Sequence, residues 1–138
     1  MKKLFLLLFL LLLSAANYAQ IHNPVKWSTS VKKISATEYD LIINAAIETN
    51  WHLYSQNQPK DAINQPTVIL FNKNPLVTID GKTTEVGKME LYQDKKLKIS
   101  ANQYANKVVF IQKIKVKSNA KTTISGSIEY QTCDDKKC

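Results

Sequence analysis

Two sulfurs lie close together at the end of the 138-residue chain: Cys133 and Cys138, in the stretch YQTCDDKKC, with two acids and two lysines between them. They are the protein's only cysteines. Spacing this short suits dithiol exchange, in which one sulfur attacks a partner's disulfide and the second resolves the mixed disulfide that results. It also suits a structural staple, although a weak one. A bridge closing about six residues gains roughly 2 kcal/mol, against nearly 5 for one closing about 100. A third chemistry, zinc binding, would need His22 and His52 to complete four ligands, and the long separation of these histidines is unlike finger spacing. No metal and no bound cofactor are therefore expected. The neighbours do not choose between exchange and staple. Asp134 and Asp135 raise a nearby thiol pKa, while Lys136 and Lys137 lower it.

Compartment bears on the choice. The opening MKKLFLLLFLLLLSAANYAQ has a basic start at Lys2 and Lys3, an apolar run from Leu4 to Leu13 and a small-residue exit to Ala19. That is the layout of a secretory signal peptide, too short for a membrane span of about 20 residues. Residues 1–19 are expected to be removed and residues 20–138 to form one exported domain. Outside the cytoplasm two neighbouring thiols default to a disulfide. The net charge is +8, and every one of the 19 basic residues is Lys. Nucleic-acid sites favour Arg, which binds bases in bidentate fashion and stacks on them, so no nucleic-acid partner is expected and the lysines read as a solvated face.

The elements that must carry the sulfurs alternate with a period of two, as half-buried strands do. Val25, Trp27, Thr29 and Val31 share one face, and Tyr39, Leu41, Ile43, Ala45 and Ile47 share another. TVILFN and LVTID read as short strands, the second closed by Gly81, and KLKISA follows a loop. FIQKIKVKS directs Phe110, Ile114 and Val116 inward and Lys113, Lys115 and Lys117 outward. TISGSIEYQTC puts Ile124, Ile128 and Tyr130 on one side and Cys133 on the other. Ser55 to Pro66 is polar, holds two prolines and reads as a long loop. About seven short strands predict an all-β, immunoglobulin-like β-sandwich.

Several of these stretches together, VKWSTSVKKISATEYDLIINAAIETNWHLYSQ, GKMELYQDKKLKIS, NKVVFIQKIKVK and IEYQTCDDKKC, resemble the N-terminal periplasmic domain of the thiol–disulfide interchange protein DsbD. The resemblance runs from about Val25 to Cys138. It implies an immunoglobulin-like protein-disulfide reductase domain in the periplasm. Such a domain takes electrons from a membrane-embedded reductase and passes them to thioredoxin-like and disulfide isomerase proteins, including those of cytochrome c biogenesis. Residue by residue, it implies Cys138 as the exchanging sulfur and Cys133 as the resolving one, with His52 and Tyr54 lining the site. Members that shield the pair do so with a phenylalanine. The matching TTEVGKME has none, its bulky members being Val86 and Met89. Members also continue past the second cysteine, so the resemblance implies either a chain cut short at Cys138 or a freer terminal loop. The rival reading from the residues alone is a non-catalytic immunoglobulin-like binding module with a structural disulfide.

Overall fold

Strands form where the alternation is strongest. The computed structural model describes residues 22–117 and 121–138, and the expected leader, residues 1–19, lies outside the described residues. Among the described residues the chain is all-β, with ten strands: β1 (Val25–Lys33), β2 (Glu38–Ile47), β3 (His52–Tyr54), β4 (Val68–Phe71), β5 (Val77–Val86), β6 (Met89–Asp94), β7 (Ile99–Tyr104), β8 (Lys107–Val116), β9 (Gly126–Glu129) and β10 (Thr132–Cys133). They make two antiparallel four-stranded sheets, β1-β2-β8-β5 and β10-β3-β7-β6, and a ribbon, β4-β9. The arrangement is consistent with a β-sandwich.

The core lies where the inward positions of the sheets meet. Val25, Ile43, Ala45, Ile47, Val108 and Phe110 come from the first sheet, and Leu53 and Tyr104 from the second. Phe110 and Leu53 have no exposed surface, and burying a side chain of this kind stabilises by about 1.5–3 kcal/mol. The expected faces of β2 and β8 are observed, and Lys113, Lys115 and Lys117 stand exposed. Lys115 pairs with Asp80 at 3.1 Å and Glu38 at 3.8 Å across that outer face.

Four expectations differ from what forms. LVTID does not close at Gly81, because β5 runs on to Val86 through a bulge between Asp80 and Thr84. Gly81 sits at φ +69°, the left-handed conformation that favours glycine. Gln112, at an inward position of β8 where an apolar residue would be expected, is fully buried and stitches the bulge. Its Nε2 donates to the carbonyls of Asp80 (3.0 Å) and Lys113 (2.9 Å), and its Oε1 accepts from Thr83 Oγ1 at 2.7 Å. Second, the run before KLKISA is itself a strand, β6, which forms one edge of its sheet, β10 being the other. Third, β1 buries Val25 and half-buries Trp27, but leaves Thr29 and Val31 exposed. Fourth, the tail is two strands. β9 pairs with β4, the chain changes partner at Tyr130–Gln131, and β10 pairs with β3. A Cβ at Gly126 would collide with the Leu70 carbonyl, so β9 approaches β4 only as glycine there.

A carboxylate ties the two sheets together. Glu85 on β5 lies opposite Phe110 and therefore points inward. It accepts hydrogen bonds from Ser55 Oγ (2.6 Å), the Gln56 backbone N–H (2.7 Å) and Tyr104 OH (3.0 Å). Burial, and then the Glu85 charge, push the Tyr104 pKa up to about 12. The folded state thus holds the phenol's proton more tightly than the unfolded chain. The stabilisation is complete below the ordinary tyrosine value of 10.0 and is lost as pH rises towards 12. Tyr104→Phe should lower stability near neutral pH by about 1–2 kcal/mol through the lost charge-assisted hydrogen bond. It should also flatten the decline in stability at alkaline pH. Urea unfolding followed from pH 8 to 11 checks both, and an unchanged alkaline slope would rule the assignment out.

Candidate functional site: a surface disulfide on the outer face of the second sheet

β3 is only three residues long, and its alternation builds the site. Leu53 faces the core, so His52 and Tyr54 face outward. β10 pairs with β3 in antiparallel register, Cys133 opposite His52 and Thr132 opposite Leu53. Directly opposed residues share a face. Cys133 therefore joins His52 and Tyr54 on the side away from the core.

Cys133 is bonded to Cys138, with Cα atoms 4.0 Å apart. The two sulfurs differ in setting. Cys133 is 5% exposed and packs with Tyr54 and Ala101 in a small cluster separate from the central core, whereas Cys138 is exposed. The four residues between them form a tight turn. The Asp134 carboxylate accepts from the backbone N–H groups of Lys136 and Lys137, both at 2.7 Å, and the Asp134 N–H donates to the Lys137 carbonyl at 2.8 Å. The Lys136 amide, with those of its neighbour and the lysine charges, holds the Asp134 carboxyl below its ordinary pKa. The acids and lysines thus play unequal parts that their order alone does not reveal. Asp134 organises the loop, and Lys137 reaches over Trp51, its Nζ 5.6 Å from the ring centroid.

The four residues singled out in the sequence, Cys133, Cys138, His52 and Tyr54, are gathered at one place. Burial, and then the neighbouring Tyr92, raise the Tyr54 pKa, so its hydroxyl stays neutral. Gln131 was not singled out. Its amide Nε2 lies 3.8 Å from Cys133 Sγ, while its Oε1 accepts the Gln65 N–H at 2.7 Å, tying the sulfur to the long loop. That loop is clipped in turn to β7: Gln58 bridges to Asn102, and the Ser100 hydroxyl donates to Asp61. The only sequence signal for Gln131 is its place two residues before a cysteine on a strand. Val86 and Met89, in the stretch matching a shielding loop, are both exposed. His22 stacks near Trp51, ring centroids 5.3 Å apart, and contacts Glu48 at 3.1 Å. Among the described residues no three of His, Cys, Asp and Glu converge as a metal site would require.

The chain matches no family model, no curated protein and no solved structure. A disulfide with one sulfur packed and the other at the surface offers an attacking thiolate a single accessible end, and a donor amide beside the packed sulfur favours charge on it once released.

Asp134→Ala should leave the fold intact and loosen the turn. Losing the two amide bonds to this exposed carboxylate should speed reduction of the disulfide by dithiothreitol by a factor of about three or more. Lowering the pH through the depressed Asp134 pKa should do the same to equilibrium loop order, since the stabilisation is present above the ordinary value of 3.8 and lost as the carboxyl protonates. Amide exchange at Lys136 and Lys137 reads it out.

Proposed function

We propose that this chain is a thiol–disulfide exchange module of the DsbD N-terminal type, immunoglobulin-like in its finer arrangement and exported to the periplasm by residues 1–19. The observation that carries the reading is the asymmetry of the pair: Cys138 exposed at the end of a four-residue turn, Cys133 packed against Tyr54 and Ala101. The immunoglobulin-like assignment draws support from the non-sequential strand order of both sheets and the chain's repeated crossing between them.

In the reduced module the Cys138 thiolate attacks a client disulfide. A bond forms between Cys138 and one client sulfur, and the other client sulfur leaves as a thiolate. Cys133, once deprotonated, attacks Cys138 Sγ, closes the intramolecular disulfide and releases the client's second thiol. The module loses two electrons and the client gains them. A membrane-embedded reductase, itself a dithiol, restores the pair by the reverse sequence. The clients are periplasmic thioredoxin-like and disulfide isomerase proteins. His52 and Tyr54 flank the packed sulfur and exclude water from it, and no cofactor enters because the sulfurs hold the electrons.

One observation favours the rival, a binding module with a structural disulfide: β10 is two residues long, and one of the two is a half of the bridge. The reduction potential separates them. A relay requires a value less negative than about −300 mV, and a bond more reducing than that is an inert staple. Cys133→Ser should accumulate mixed disulfides through Cys138 with thioredoxin-like proteins, identifiable by mass spectrometry. Cys138→Ser should abolish transfer with little change in melting temperature, whereas the staple reading requires the reverse.

A further inference from the structure

At the end of β1 remote from Val25, the layers part. Val31, Leu41 and Ile114 form one wall and Ile69, Phe71 and Ile128, on the β4-β9 ribbon, the other, around an open cavity of about 730 Å3. The cysteine cluster contributes no residue to it. Sandwich interiors are ordinarily filled by interdigitating side chains, and a void of this size falls within the range of small-molecule sites. The exposure of Val31, which its alternation directs inward, follows from the same parting.

The polar groups around this cavity are one-sided. Lys33 and Lys121 are among the residues lining it, and none of the described lining residues is acidic. Neither lysine is paired with a carboxylate among the described residues. Lys33 instead leans over the ring of Tyr39, also a lining residue, at 6.0 Å. An apolar hollow lined by two lysines and, among the described residues, no acid is complementary to an amphiphile whose tail is hydrocarbon and whose head is an anion.

We propose that this cavity binds a free long-chain fatty acid, the acyl chain between β1-β2-β8 and the β4-β9 ribbon and the carboxylate between Lys33 and Lys121. The site is independent of the disulfide and of the function proposed for it. Charge complementarity is what selects a fatty acid over a neutral apolar ligand.

Isothermal titration of the full chain with oleate, kept below its micelle concentration, tests this, with oleyl alcohol as the uncharged counterpart. The expected result is saturable one-to-one oleate binding. Oleyl alcohol and the double variant K33E/K121E should each bind at least about fivefold more weakly, the scale of two exposed charge pairs. Thr29→Trp, an exposed lining position turned bulky, should block binding with the melting temperature retained. If that variant does not fold, the lysine variant, altered only at exposed positions, carries the test. No saturable binding up to about 100 μM, equal affinity for oleyl alcohol, or oleate binding undiminished in a folded Thr29→Trp or lysine variant would each overturn the proposal. So would co-sedimentation with phosphatidylglycerol vesicles in place of free oleate binding.

Discussion

The register of three residues decides what this surface can do. Leu53 has no exposed surface, lies opposite Tyr104 and belongs to the same core cluster as Phe110, so β3 has one acceptable alignment between β7 and β10. A slip by one residue would send Leu53 to solvent and bring a histidine and a tyrosine into the core, at a cost of several kcal/mol in lost apolar burial and unpaired polar groups. The same alignment holds Cys133 outward. The core therefore controls the orientation of a sulfur that is not part of it.

A second constraint acts through polar groups within the layers. Glu85 and Gln112 occupy inward positions in adjacent strands, β5 and β8, yet each is saturated: Glu85 by Ser55, Gln56 and Tyr104, Gln112 by Thr83 and two carbonyls of the bulge and its own strand. Buried polar groups are tolerated when their partners are supplied and are costly otherwise. Because Ser55 follows β3 directly, the Glu85 clamp also fixes the strand that carries His52 and Tyr54. Long-range hydrogen bonds thus reach the site from the opposite sheet.

Much of this was readable in the residues. The all-β character, the inward rows of β2 and β8, the wet lysine face and the long polar loop all follow from alternation and turn chemistry, which are local properties. Cys133 does lie away from the core that Ile128 and Tyr130 pack against, but counting in twos is not the reason, because the chain changes partner between them and the register of β10 on β3 sets the sulfur's side. Other features depended on partners distant in sequence. Gly81 reads as a turn because a left-handed glycine usually ends a strand, and only Gln112, some thirty residues away, makes a bulge the better solution. The tail reads as one strand because nothing local signals that β9 and β10 join different sheets. Gln131 acquires its place through Gln65, and Asp134 differs from Asp135 only through backbone amides that the turn brings round. Thr29 and Val31 alternate as if buried, and their exposure reflects how far apart two layers stand, which no single strand encodes.

The packed sulfur's separation from the main core has a mechanical corollary. Cys133 belongs to a satellite cluster of three residues, and the turn beyond it sets Lys137 over the Trp51 indole. Neither sulfur belongs to the Phe110 cluster, and the bond between them closes a loop outside it. In a relay of the kind proposed, opening that bond would leave the contacts of the Phe110 cluster in place, and the short tether would keep each thiol at high effective concentration about the other.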